Sequence, residues 1–325
     1  MRILKYAGYF LITLILVAFG FLYKGDLEKD VVDAKYSSDQ SRFLDVASGA
    51  RVHYRDEGNP EGAPLVLIHG SNASLHTWEP WVARLGGDYR IITLDLPGHG
   101  LTGRTPDDDY SSAAFISAID TIVTYLEIDN FSLGGNSMGG GATWRYALAH
   151  PDKVNAMILI DASGAPQWRR ERDPIDAGDE DNGRPLAFTL LSKSWFRSIA
   201  RSLDPYWLTA QGVRAAYNNS PVVDQALIDR YYELSIREGT RDATMARFAG
   251  FSSNMGETID LSVLIQPTLI MWGAEDGVIP ASVADKFEAT LPNSQKVIYE
   301  NVGHIPMEEV PDISANDVRD FLLSL

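Results

Sequence analysis

An α/β architecture, a mostly parallel sheet flanked by helices, follows from three features of the sequence. Short continuous apolar runs recur at 65–68, 91–94, 131–133, 156–160 and 268–272. Helix-length segments lie between several of them, at 75–85, 113–126 and 142–149. Strands that are apolar on both faces and alternate with helices describe a parallel sheet covered on both sides. The third feature is a set of glycine- and histidine-bearing turns directly after several runs, at the strand ends where such sheets gather ligands.

Taken in order, the chain begins with a segment of its own, 1–24. The stretch 7–23 carries no charge and is flanked by Arg2 and Lys5 before it and Lys24, Asp26, Glu28 and Lys29 after it. Its length is the lower limit for crossing a ~30 Å hydrocarbon layer. Tyr6, Tyr9, Phe21 and Tyr23 stand near its ends, as interfacial aromatics do. The expectation is an N-terminal transmembrane helix that anchors the protein to a membrane, with the remainder extracytoplasmic (periplasmic if bacterial). A signal peptide cleaved after Ala18-Phe19-Gly20, leaving a secreted protein, is the alternative. Residues 25–41 are polar and read as a linker.

From Arg42 the pattern changes to strands. Runs at 43–47 and 51–56, joined by Ser48-Gly49-Ala50, predict an edge hairpin. The α/β core is then expected over 42–162 and 263–325. About a hundred residues separate the strand ending at Ile160 from the one near Thr268, and they include helical stretches such as 186–199 and 225–236. This interval, 163–262, reads as an inserted helical cap. The order resumes with a helix near 281–291, a strand near 296–299 and a final helix around 311–323.

Composition narrows the function. The chain has 325 residues, 45% hydrophobic and 22% charged, enough for a large core without staples. A net charge of −16, spread along the chain, repels phosphate backbones, so nucleic acid is not an expected partner. The absence of cysteine removes disulfides, thiol catalysis and thiolate metal sites. The six histidines are dispersed and no H-E-x-x-H occurs, so neither a metal nor another cofactor is expected.

The most informative stretch is Gly135-Asn136-Ser137-Met138-Gly139, between an apolar run and a helix. A serine with glycines two residues to either side, where a strand turns into a helix, is the nucleophile-elbow pattern. The turn is tight enough that a Cβ at either flank would collide with its neighbours. The hydroxyl stands at the tip, and the N–H of Met138 points where an oxyanion would form. Gly98-His99-Gly100-Leu101-Thr102-Gly103 also matches the dinucleotide fingerprint G-x-G-x-x-G. Pro106 and the aspartates 107–109 follow it, however, and they suit neither a continuing helix nor a pyrophosphate.

Three further motifs stand in order around the elbow: His69-Gly70 after 65–68, Gly273-Ala274-Glu275-Asp276 after 269–272, and Gly303-His304 after 296–299. With these four motifs, the chain from about 42 to 325 resembles serine hydrolases of the α/β-hydrolase superfamily. The resemblance implies the chain order nucleophile, acid, base: Ser137, Asp276 and His304. It also implies an oxyanion hole from the N–H groups of Ser71 and Met138. Asp161, also at a strand end, is the alternative acid. His69 is expected to anchor the oxyanion loop and His99 to be structural, with His53 and His150 fitting strand and helix-end positions and His76 a surface or helix-start position.

The implied reaction is hydrolysis of small to medium carboxylic esters through an acyl-enzyme, with a small-molecule ester as partner. Serine at the elbow argues against the branches that use aspartate there. The elbow also resembles that of the meta-cleavage-product hydrolases, which split carbon–carbon bonds. The chain departs from that branch at Ile305, where those enzymes usually carry tryptophan, and at Ser71-Asn72-Ala73, which replaces their glycine-rich oxyanion loop. Their anionic substrates would also require a basic residue in the pocket, for which Arg169, Arg170 and Arg197 are the sequence candidates. A non-enzymatic ligand receptor on the same scaffold is the reading from another class.

Overall fold

Neighbouring residues of the apolar runs divide between two layers, and this explains why the runs are continuous. In a computed structural model, which describes Tyr6, Gly20, 22–47, 49–170, 193–250 and 257–325, Val66 and Ile68 join a buried cluster with Ile92, Leu133, Ile119 and Trp144. Leu65 and Leu67 join another, with Trp78, Trp81, Ile158 and Phe321. Successive side chains of a strand point to opposite faces, so both must be apolar when helices cover both.

The strands are β1 (Ser41–Asp45), β2 (Arg51–Gly58), β3 (Ala63–Ile68), β4 (Tyr89–Leu94), β5 (Phe131–Asn136), β6 (Val154–Ile160), β7 (Thr268–Gly273) and β8 (Ser294–Tyr299). They form one sheet in the order β1-β2-β4-β3-β5-β6-β7-β8. β1 and β2 make the expected antiparallel edge hairpin, and β2 runs antiparallel to β4. The other pairings are parallel. β3 and β5, the two central strands of this order, and β7, next to the β8 edge, carry His69, Ser137 and the Asp276 loop at their carboxyl ends.

Helix α1 (Lys29–Tyr36) precedes the sheet, and α2 (Glu79–Leu85), α3 (Ser112–Tyr125) and α4 (Met138–Ala149) alternate with its strands. The single helix expected over 75–85 is a 3-10 turn, Leu75–Trp78, followed by α2. Pro80 is the physical reason: it lacks an N–H and suits only the first turn of a new helix. α3 starts at Ser111, whose side chain accepts from the Ala114 N–H. After β6 come α5 (Pro166–Arg170), α6 (Ser194–Ala200), α7 (Tyr206–Ala216), α8 (Gln225–Ser235) and α9 (Thr240–Gly250), and then, around β8, α10 (Ser282–Thr290), α11 (Pro306–Glu309) and α12 (Pro311–Leu323).

The helices α7 to α9 lie against the loops at the strand ends. Ala216 O accepts from the His304 N–H at 2.7 Å, and Arg247 of α9 reaches Ser71, Asn72 and His99. The aromatics of this interval do different jobs. Trp168 packs edge-on against Phe287, Tyr231 is hydrogen-bonded to Tyr217, and Trp195 and Trp207 are exposed. The acidic run Asp179-Glu180-Asp181 and the first half of the stretch 186–199 lie outside the described residues.

Two N-terminal expectations need correction. Among the described residues no helix is long and apolar enough to cross a membrane, so the fold class is the α/β core with its inserted helices, without a demonstrated transmembrane element. Most of 7–23 lies outside the described residues. The end of that stretch is held by the protein itself. Tyr23 forms a β-bridge with Leu203, the Asp204 N–H donates to Leu22 O, and the Lys24 N–H donates to Ser202 O. Nor is 25–41 a free linker. α1 buries Val32 and is fastened by Arg237, whose Nε and Nη2 donate to the two oxygens of Asp33 at 2.6 and 3.0 Å. The signals for a linker, polarity and charge, were the ion-pair partners of a distant helix.

Arg237 is 2% exposed, and besides Asp33 its Nη2 meets only the carbonyl of Leu101. Asp33→Ala should therefore leave a buried cation largely uncompensated and lower unfolding free energy by about 2 kcal/mol, discounted for the partly exposed carboxylate. Urea titration of the variant against wild type measures it. An unchanged midpoint would return 25–41 to the status of a passive linker.

Candidate active site

The elbow is built by close approach of three elements. Ser137 has φ +54 and ψ −116, a region that an L-residue occupies only when its surroundings impose it. Its N–H donates to Ile160 O at 2.9 Å, and its carbonyl accepts from Gly141 and Ser163. A Cβ on Gly139 would run into the carbonyl oxygen of Ile68, and one on Gly135 into the backbone of Gly139. This tight contact of α4 with β3 and β5 lets the helix begin at Met138, four residues earlier than residue periodicity predicts. Three consecutive glycines, poor helix formers in isolation, are tolerated because no larger residue fits there.

Gly70 serves the neighbouring loop. A Cβ there would crowd the Asn136 side chain at 2.7 Å and the Ser137 Cβ at 3.2 Å. His69 fixes the loop: its Nδ1–H donates to Gly70 O at 2.7 Å, and its Nε2 accepts from the Leu96 N–H at 3.0 Å. Burial lowers the His69 pKa, and the Arg247 charge adds to this, so the ring is held in one neutral tautomer. Among the described residues, neither the Ser71 nor the Met138 N–H donates to another protein group.

His304 and Asp276 arrive from β8 and β7. His304 Nδ1–H donates to Asp276 Oδ2 at 2.7 Å, and Asp276 Oδ1 accepts from the Val278 and Ile279 N–H groups at 2.7 and 3.0 Å. Those donors pin the carboxylate in one orientation. Asn136 ties this loop to the elbow, donating from Nδ2 to His304 O at 3.0 Å and to Ile160 O at 3.3 Å. Ser137, Asp276 and His304 are 9%, 9% and 5% exposed, so the site is roofed rather than open. Asp161, the alternative acid, lies in the same cluster, but it is Asp276 that bonds to the imidazole. The commitment of His304 Nδ1 and of both Asp276 oxygens to protein donors suits a hydrogen-bonded relay rather than a cation site.

The other motif residues have structural partners. The glycine-rich loop after β4 is wrapped around Asp95, whose Oδ1 accepts from the Leu75 N–H and Oδ2 from the Leu101 N–H, both at 2.8 Å. A pyrophosphate would need those donors. His53 donates from Nδ1 to Asp95 at 2.7 Å, and His150 closes α4. His76 stands at a helix start, in the 3-10 turn before α2, but not at the surface: it is buried, with Nε2 bonded to Tyr36 O, and holds α1.

Sequence reasoning missed two residues. Asn136 was legible only as the variable position of the elbow. Arg247, one arginine in an amphipathic helix, left no signal at all. Its guanidinium donates to Asn72 Oδ1 (2.8 Å), Ser71 Oγ (3.1 Å), Thr244 Oγ1 (3.1 Å) and His99 Nε2 (2.5 Å), while its Nε is buried without a partner. Among the described residues no carboxylate pairs with it. Burial pushes its pKa down to about 10, which still leaves it charged at neutral pH. The side chains of Arg169 and Arg170 lie outside the described set, and Arg197 has an interaction partner.

Asn136→Ala should strand the His304 carbonyl, while Ile160 O keeps the Ser137 N–H, costing about 1–3 kcal/mol of stability, and lower turnover more than substrate affinity by loosening the His304 loop. Thermal unfolding together with kcat and KM on a chromogenic ester reads both. A variant with wild-type kcat would make this link dispensable.

Comparison with known proteins agrees with this geometry. Residues 63–311 match the family model for the alpha/beta hydrolase fold. The chain is 27% identical to the 2-hydroxy-6-oxo-6-(2'-aminophenyl)hexa-2,4-dienoic acid hydrolase of Metapseudomonas resinovorans, over 86% of this chain and 90% of that protein. It is 25% identical to Lipase 1 of Psychrobacter immobilis, over 86% of this chain and 83% of the relative. Among solved structures, the meta-cleavage product hydrolase of Pseudomonas fluorescens IP01 superposes with a TM-score of 0.72 at 24% identity, covering 87% of this chain and 97% of that one. With the family's model matched over most of its length, the chain belongs to the α/β-hydrolase fold family.

Proposed function

We propose that this protein is a serine hydrolase that cleaves small to medium carboxylic esters through an acyl-enzyme. The observation that carries the reading is the strained Ser137 at the N-terminus of α4, beside an Asp276–His304 pair and two uncommitted backbone N–H groups. The Ser137 hydroxyl attacks the ester carbonyl while His304 takes its proton at Nε2. Asp276 holds the imidazole in the required tautomer and stabilises the imidazolium that forms. The Met138 and Ser71 N–H groups receive the oxyanion, helped by the positive end of α4. His304 then protonates the leaving alcohol, and a water activated by the same imidazole releases the acid. The helices over the site favour an enclosed pocket, which admits short chains more readily than long ones.

A specific observation favours a second reading, the carbon–carbon hydrolase type. Arg247 is a cation held beside Ser71 and Asn72, and among the described residues no carboxylate pairs with it; a buried charge is costly unless paired. A substrate carboxylate would supply the partner. The relative from Metapseudomonas resinovorans is named for a dienoic acid, which carries such a group. Ile305 beside His304 still separates the chain from that branch.

Ser137→Ala should leave the fold intact and lower kcat for esters by a factor of about 10⁴ or more. A fluorophosphonate probe should label wild type and not the variant. Labelling that survives the substitution would remove Ser137 from the mechanism. Between the two readings, kcat/KM for acetate, butyrate, octanoate and palmitate esters should be compared with that for a dienoate ring-fission product. A maximum at the short neutral esters is expected, whereas faster dienoate cleavage would promote the second reading and a maximum at palmitate would defeat the enclosed pocket.

Arg247→Met tests the charge separately. For a substrate bearing a free carboxylate, KM should rise about tenfold or more, the value of a lost charge-assisted hydrogen bond, with less change for neutral esters. Equal losses on both would make Arg247 a brace of the oxyanion loop only.

A further inference from the structure

Asp161 follows β6 with φ +44 and is 0% exposed. Its N–H donates to Met271 O at 2.9 Å, and its Oδ1 accepts from the Gly273 N–H at 3.0 Å. Its Oδ2 is buried and has no hydrogen-bond partner. Nothing in the ester mechanism uses it, yet ligand atoms of Asp161, Asp276 and His304 all lie within 4.8 Å of one another. An aspartate in an unfavourable backbone conformation, with one bare buried oxygen and its carboxyl close to the acid of a Ser-His-Asp arrangement, needs an explanation.

The donors decide how the two carboxyls share charge. Two buried carboxylates this close cannot both be ionised at neutral pH, and one proton must remain with the pair. Asp276 receives three donors: the Val278 N–H, the Ile279 N–H and the His304 Nδ1–H. Asp161 receives the single N–H of Gly273. The surrounding elements add no cation to change the order. From α11, Glu309 turns its carboxylate to the Gly303 and Ile305 N–H groups at 3.0 and 3.1 Å, bringing a further acid to the neighbourhood. From β8, Tyr299 directs its hydroxyl to Asp317. Among the described residues no lysine or arginine forms an ion pair with Asp161 or Asp276.

We propose that Asp161 carries a proton in the resting enzyme and donates it from Oδ2 to Asp276, so that His304 is oriented by a carboxyl–carboxylate pair rather than by a single aspartate. The proposal rests on the reading of Asp276 and His304 as acid and base. Asp161 is then a positioning residue, acting through Asp276. Its hydrogen bond draws charge density from the oxygens facing His304, so they stabilise an imidazolium less than Asp276 alone would. Burial, and then the Asp276 charge, raise the Asp161 pKa well above the usual carboxyl range.

The stability consequence has a definite sign. A carboxyl whose folded-state pKa is raised contributes stability that is present below its unfolded value of about 4 and lost as pH rises through the folded value. Replacing it with a neutral amide removes that loss.

The test uses the full chain as wild type, Asp161→Asn, Asp161→Ala and Asp276→Asn. The wild-type minus Asp161→Asn infrared difference spectrum at neutral pH should contain the carbonyl stretch of a protonated carboxylic acid. The Asp161→Asn protein, which keeps a donor toward Asp276, should retain most of its kcat and the wild-type acid limb, and should gain stability relative to wild type as pH rises above about 4. Asp161→Ala should move the acid limb upward by about one pH unit, the effect of removing one hydrogen bond to a charged group. Asp276→Asn should lose nearly all turnover. A difference spectrum without the protonated band would overturn the proposal, as would an Asp161→Ala limb that coincides with wild type. The infrared and stability measurements need no turnover, so they read the proton even if Asp161→Ala does not fold. If no form of the enzyme cleaves an ester, the assigned reaction fails while the proton is still read.

Discussion

The structure depends most on the close approach of α4 to the ends of β3 and β5. That approach holds Ser137 in a backbone conformation it would not choose, and it is possible only because positions 70, 135 and 139 lack side chains. Strain of this kind persists when the surroundings over-determine it. Here they do so through the backbone bonds from Ser137 to Ile160, Gly141 and Ser163. With the hydroxyl fixed, the remaining groups need only be delivered to it from the ends of other strands. A parallel sheet does this well, because its carboxyl ends lie side by side.

Polar groups buried around that point are satisfied in a consistent manner. Asp95 collects two loop N–H groups and His53, and so shapes the glycine-rich turn that a motif search would give to a nucleotide. Asn136 couples the elbow to the His304 loop. The helices between β6 and β7 attach to the core in two ways: Val213, Tyr217, Leu227 and Ile228 join the buried cluster of Trp78 and Phe321, and around them Arg237 meets Asp33 and Leu101, Arg230 meets Glu79 and Glu308, and Arg247 meets Ser71 and Asn72. A layer attached in this way can vary its pocket-facing residues without disturbing the sheet, which fits a family whose members include both a lipase and a dienoic acid hydrolase.

The parts that could be read in advance share a physical property: each depends on residues close together in the chain. The elbow glycines, the strand runs with period two, and the Pro311 start of α12 are local signals. His69, Asp276 and His304 were legible because each closes a short strand with a recognisable turn. The N-terminus was misread for the complementary reason. Residues 25–41 are polar, and polarity was taken for solvation. The charges of Asp33 and Lys35 instead answer Arg237 and Glu233, some two hundred residues away. The burial of His76 was illegible for the same reason, since its partner Tyr36 belongs to that docked helix.

Thus the sequence alone determined the parallel α/β sheet, the order of its strands along the chain, the serine elbow and the strand-end turns that carry Asp276 and His304, because patterning and turn chemistry act over a few residues. Tertiary structure alone decided that Arg247 comes to Ser71 and Asn72 with no carboxylate paired to it among the described residues, that Asn136 bridges to His304, and that Asp161 lies against Asp276 instead of replacing it. Those relations join residues more than a hundred positions apart. Whether a buried charge is paired, shared or left open depends on which distant groups the fold delivers to it, and no local pattern encodes that.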